Sequence, residues 1–211
     1  MGVRSLAVAV AATALLAGAA CGDSGEPEEF AKFADKVADA VEEGDVVFFT
    51  GRVQGESYTC TEEDVRASTG PEAPPQPICL EVGYEFEAVA IANYGTAGTI
   101  TTPKVLIGDI QRFFQGALPG QEDDYGPGAV RLYATAIPSR PGAAEAGVRT
   151  AILTAIQDFQ GQPRRFARAI DFEYLNGRWM ITGETTAGFP IAVDLLEPSS
   201  AAAIYDEWTE Y

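Results

Sequence analysis

Arg168 is the charged residue whose neighbours in the sequence fit it least. Between Arg164 and Leu175, residues Phe166, Arg168, Ile170, Phe172 and Tyr174 recur at every second position, which puts all five on one face of a strand. A guanidinium on such a face needs a carboxylate or several acceptors, since an unpaired buried charge costs on the order of several kcal/mol. Two uses follow: a structural ion pair, with Glu85 or Glu87 as expected partner, or a pocket cation for an anionic ligand. Tyr84, Tyr133 and Tyr174 fall on expected strands and can present hydroxyls to a carbonyl or oxyanion in a cavity. Core tyrosines with one satisfied hydroxyl fit the same pattern. Asp171 and Glu173 alternate onto the face opposite Arg168 and are expected in solvent.

Much other chemistry is excluded. The chain has no histidine, so Ser-His-Asp and Cys-His catalysis and histidine-containing zinc sites are out of reach. Three cysteines are too few for a thiolate zinc site. The run Glu122-Asp123-Asp124 lacks the alternating ligands of a helix-loop-helix calcium site and reads as solvated loop. There is no phosphate-binding glycine loop and no Gly-x-Ser-x-Gly elbow. No catalytic residue, metal or cofactor is therefore expected. The formal charge is −17, and −18 once Arg4 is removed with the leader described below. Such a chain repels phosphate backbones, so nucleic acid is not an expected partner. The charge is uneven: 17 acids face 4 bases from Gly22 to Ala90, whereas Arg131 to Arg178 holds 7 bases and 4 acids.

The beginning of the chain places these residues in a compartment. One positive charge, Arg4, precedes an uncharged apolar run from Leu6 to Ala17, the pattern of a signal peptide over 1–20. The run is shorter than the ~20 residues a membrane-spanning helix needs. Leu6 stands where a myristoylation motif requires Ser or Thr. Gly18-Ala19-Ala20-Cys21 resembles the lipobox of bacterial lipoproteins, although Gly18 stands where a branched apolar residue is usual. The resemblance implies a lipid on Cys21, a tether over 21–27 and a chain anchored outside the cytoplasm; ordinary secretion after cleavage near Ala19 or Ala20 is the alternative. With Cys21 lipidated, Cys60 and Cys79 remain as an even pair in an oxidising compartment and are expected to form a disulfide around Thr61 to Ile78.

The elements that would position the candidate residues follow from periodicity. Phe30, Phe33, Ala34, Val37 and Val41 form one stripe of a helix over 28–43, with Gly44 as stop. Asp45 can cap a short helix over Val46-Val47-Phe48-Phe49, a run that reads equally as strand. Thr61-Glu62-Glu63-Asp64 resembles a capped turn, and 70–77, rich in proline, is irregular loop. A long strand is expected over 81–94, with Val82, Tyr84, Phe86 and Ala88 on its apolar face. A helix opens at Thr102-Pro103 with Leu106, Ile110, Phe113 and Phe114 facing a sheet and ends at Gly116. Strands follow over 129–137, 148–156, 164–175 and 178–186, the last two joined by the tight turn Asn176-Gly177. Ser199 or Ser200 is expected to cap a terminal helix through Trp208.

Together these predict one α+β domain over 28–187, with a curved, mostly antiparallel sheet packed by two or three helices, one disulfide and an extension over 188–211. The element order, with the closing hairpin Phe172-Glu173-Tyr174-Leu175-Asn176-Gly177-Arg178-Trp179-Met180-Ile181, resembles nuclear transport factor 2-like domains, the cone-shaped fold shared by ketosteroid isomerases. That resemblance transfers no catalytic residue. Two functions remain in view. One is a lipid-anchored binding domain for a small molecule or envelope protein, and the other is a histidine-free isomerase or hydratase acting in a cone cavity.

Overall fold

The turn Asn176-Gly177 fixes the centre of the fold. Both residues have positive φ (54° and 82°), the backbone a two-residue hairpin turn requires and glycine adopts without strain. It sets Leu175 opposite Arg178. The computed structural model describes residues 27–69, 78–91, 99–118, 130–139, 142–184, 191–192 and 205–211. The expectations for Cys21, the leader and tether, the loops at 70–77 and 122–124, and Ser199 and Ser200 lie outside these residues.

The described residues form an α+β arrangement of four helices and nine strands: α1 (Pro27–Glu42), α2 (Val46–Thr50), β1 (Glu56–Thr59), α3 (Glu62–Thr69), β2 (Glu85–Ile91), β3 (Thr99–Thr101), α4 (Pro103–Gln115), β4 (Val130–Pro138), β5 (Arg149–Phe159), β6 (Gln162–Leu175), β7 (Arg178–Glu184), β8 (Ile191–Ala192) and β9 (Tyr205–Glu210). The strand order is β1-β2-β7-β6-β5-β4-β9, with β3 on β2 and β8 on β6. Every strand pairing is antiparallel except β2 with β7, which meet only at Ala90↔Gly183 and Ile91↔Glu184. From this seam β1 and β2 run outwards as a two-stranded arm.

Local chemistry explains the helices. Asp45 accepts from the Phe48 N–H at 3.0 Å, which settles Val46–Thr50 as helix rather than strand. Thr102 caps α4 and Pro103 occupies its first turn, where a missing N–H costs nothing. Helices α1, α2 and α4 supply Phe30, Phe33, Val37, Phe49, Leu106, Ile110 and Phe113 to one core with Leu132, Leu153, Ile170, Phe172, Trp179 and Ile181 of the sheet.

The opposite face of the sheet is not wet. Ala134, Ala136, Ile152, Ala167, Ala169 and Tyr205 make a second buried cluster. Asp171, expected in solvent, is therefore fully buried, and its carboxylate accepts from the Thr150 hydroxyl at 2.6 Å. Glu173, also expected in solvent, is half-buried and accepts from Thr182. The expected terminal helix through Trp208 is also corrected: Tyr205–Glu210 is a strand paired with β4. Its aromatic and β-branched residues suit a sheet edge, and pairing to β4 outweighs any cap.

Cys60 and Cys79 are joined, with Cα atoms 5.6 Å apart, at the outer end of the arm. Replacing both by alanine should lower the urea midpoint by an amount equivalent to on the order of 3 kcal/mol. An unchanged midpoint would mean that the cross-link constrains nothing in the unfolded chain.

Candidate functional site

Arg168 lies on the helix-covered face, as its spacing requires, and is buried with Glu184 of β7 (side chains 5% and 0% exposed, N–O distance 3.3 Å). The structural ion pair is present, but with a different partner from the one expected. Glu85 and Glu87 are exposed on the arm. Glu184 reaches Arg168 because the β6–β7 register slips by one residue between Asp171 and Phe172, setting Glu184 opposite Ile170, two residues from Arg168 and on its face. The guanidinium also stands 5.6 Å from the Phe113 ring centre. Burial pulls Arg168 below the usual arginine value, Glu184 opposes this, and nearby Arg112 adds to it. Arg112 itself pairs with the buried Asp109 on α4.

The three tyrosines stand apart from this pair and from one another. Tyr174 shares the face of Arg168 but lies six residues along β6, about 20 Å away at strand spacing, with its ring 5.4 Å from Trp179. Tyr133 is the extra residue of a bulge between Leu132 and Ala134. It packs on the second cluster, with Trp208, Arg131 and Arg165 around its ring. Tyr84 precedes β2 and is 53% exposed. The space beneath the helices is filled by rings: Phe33 lies 5.2 Å from Phe172 and 5.9 Å from Trp179, and Phe30 lies 4.8 Å from Trp179. A cleft of about 160 Å³ lies between α1, β4 and β9, with Arg149, Glu207 and Tyr211 among its lining residues. It is smaller than the ~300 Å³ at which ligand pockets usually begin. No group of three or more metal-ligating side chains occurs among the described residues.

The arm is different. Residues Tyr84, Phe86 and Ala88 do alternate with Glu85 and Glu87, but their face is buried only at Ala88 and opens to solvent through the half-buried Phe86 to Tyr84. Leu80 is 59%, Val82 60% and Tyr84 53% exposed. Tyr84 stacks beside Phe86 at 6.0 Å, and Tyr58 on β1 meets Phe86 edge-on at 5.7 Å. Helix α3, which follows Cys60, buries none of its residues. It is held by its N-terminus: Asp64 Oδ2 accepts from the Thr61 N–H, the Thr61 hydroxyl and the Tyr58 hydroxyl at 2.7, 2.7 and 2.8 Å. The expected capped turn is thus the start of a helix. Sequence reasoning missed Glu184 and β1; no residue type around Thr182 announces the slip that brings Glu184 to Arg168, and the alternation Tyr58-Thr59 is too short to announce the second.

The Thr61 hydroxyl, then its N–H, hold Asp64 below the ordinary aspartate value, with burial opposing and Tyr58 assisting. Tyr58 is correspondingly raised, first by its hydrogen bond to Asp64. A depressed carboxylate contributes stability above its unfolded pKa and loses it as pH falls through the folded one. A raised phenol contributes fully below its unfolded pKa and loses that contribution as pH rises through the folded one. The cap should thus persist from mildly acidic to neutral pH and fail at both extremes. Asp64→Ala should return the Tyr58 phenol towards the usual tyrosine value in a spectrophotometric titration; an unmoved titration would show that the bond does not persist in solution.

Compared with known proteins, the chain matches no family model, no curated protein and no solved structure.

Proposed function

We propose that this chain is an extracytoplasmic interaction domain, tethered by lipid on Cys21, whose recognition surface is the β1–β2 arm. The observation that carries this reading is the arm itself: a disulfide, a helix cap and a strand pair hold Leu80, Val82 and Tyr84 in solvent. Apolar side chains so constrained and so exposed mark a contact surface. The disulfide suits an oxidising compartment. No helix among the described residues is long and apolar enough to cross a membrane, which is compatible with attachment through Cys21.

The finer shape we propose is a sheet curved into a cone, similar to nuclear transport factor 2-like domains, with aromatic side chains filling the cone. The isomerase reading needs a carboxylate and a tyrosine in one desolvated chamber. Tyr84, Tyr133 and Tyr174 stand in three separate places, so no observation favours it over the interaction domain.

Intact-mass measurement of the protein from its native membrane, with and without reduction and alkylation, tests the tether and compartment. The expected chain starts at a lipid-modified Cys21, and Cys60 and Cys79 are alkylated only after reduction. An intact leader with both thiols free would overturn the reading.

A further inference from the structure

We infer that the partner of the arm is a cationic polypeptide segment in which lysine or arginine alternates with aliphatic residues. This rests on the arm being the recognition surface and adds what it recognises. Residues 56–69 and 79–88 carry seven acids, Glu56, Glu62, Glu63, Asp64, Glu81, Glu85 and Glu87, against one base, Arg66. Arg66 is itself set against Glu63 at 3.7 Å. Acids adjoin the apolar side chains: Glu81 lies between the exposed Leu80 and Val82, and Glu56, paired with Ala88, shares the face of Tyr58 and Phe86, while Glu85 and Glu87 charge the reverse face of the same strand pair. The apolar face is therefore edged by Glu56 and Glu81 on an arm whose net charge is strongly negative.

Charge complementarity selects the occupant. A second copy would bring the same acids together, and an anionic lipid surface or nucleic acid would be repelled. A neutral glycan would stack on the rings but make no use of the net charge. A cationic segment uses every feature: aliphatic residues on Leu80 and Val82, ammonium or guanidinium groups over Tyr84 and Phe86, and carboxylates around them. The arm is also already ordered by its disulfide and by the Tyr58–Asp64–Thr61 hydrogen bonds. Binding there loses little conformational entropy on this side.

The test places a photoreactive phenylalanine analogue at Val82, at Tyr84 or, as a remote exposed control, at Phe159 of the full chain in its native cells. Irradiation should give adducts from 82 and 84 and not from 159, and mass spectrometry of the joined peptide should show a lysine- or arginine-rich segment of another protein. The double change Glu56→Gln with Glu81→Gln should lower adduct yield at least about fivefold with an unchanged melting temperature. Adducts from 82 and 84 to a neutral or acidic segment, a glycan or a second copy would overturn the cationic partner and leave the arm as a contact surface. So would a double change without effect on yield. No adduct from either position, or equal yield from 159, would overturn the contact surface as well.

Discussion

Arg168→Met should destabilise the fold by about 3–5 kcal/mol, because it leaves the Glu184 carboxylate in the core without its guanidinium. Both side chains are buried, so water cannot replace the lost charge. Urea denaturation measures the effect, and adding Glu184→Gln to the Arg168→Met chain should recover part of it by removing the orphaned charge. A loss below about 1 kcal/mol for the single change would show that Arg168 is not what compensates Glu184. Such a pair adds little net stability over well-packed apolar residues although breaking it is costly, and here it ties β6 to β7 next to the seam with β2.

A comparable loss, about 3–5 kcal/mol, is expected for Phe172→Ala. Its ring is fully buried and meets Phe33 edge-on at 5.2 Å and Phe30 at 6.4 Å. These are residues of α1, so the cavity would open at the joint between helix and sheet, where both sides are fixed by other contacts and collapse is hindered. Phe172→Leu, which keeps most of the volume, should recover much of the loss. If alanine and leucine destabilised equally, the cost would lie in the ring's aromatic contacts rather than in the cavity.

What was legible in the sequence was local. The stripe Phe30, Phe33, Ala34, Val37 and Val41, the cap at Thr102, the turn Asn176-Gly177 and the pairing of Cys60 with Cys79 each rest on residues close in the chain or on cysteine number, and each stands in the structure. What was not legible depends on one-residue slips and on what lies across the sheet. Without the extra residue Thr182 between β6 and β7, Glu184 would oppose Ala169 and face away from Arg168. On β4 the bulge at Tyr133 likewise carries Ala134 from the face of Leu132 to the second cluster. Asp171 is expected in solvent because alternation tells two faces apart without saying that both are covered. Leu80, Val82 and Tyr84 have the spacing of core residues, and only tertiary placement leaves them outside.

The hairpins also bear on how the chain finds this arrangement. Gln160-Gly161 joins β5 to β6 as Asn176-Gly177 joins β6 to β7, each with two residues of positive φ. These closures carry the smallest loop entropy available to a sheet, whereas β9 reaches β4 from a long way along the chain. The three-stranded meander should consequently be the nucleus in which folding begins, with Ile152→Val slowing folding and alterations in β9 chiefly accelerating unfolding. The recognition arm, which joins the meander along β7 at the seam with β2 and through the Val53–Ile181 bridge that leads into β1, would then be among the last parts to form, after the order of the core has been decided without it.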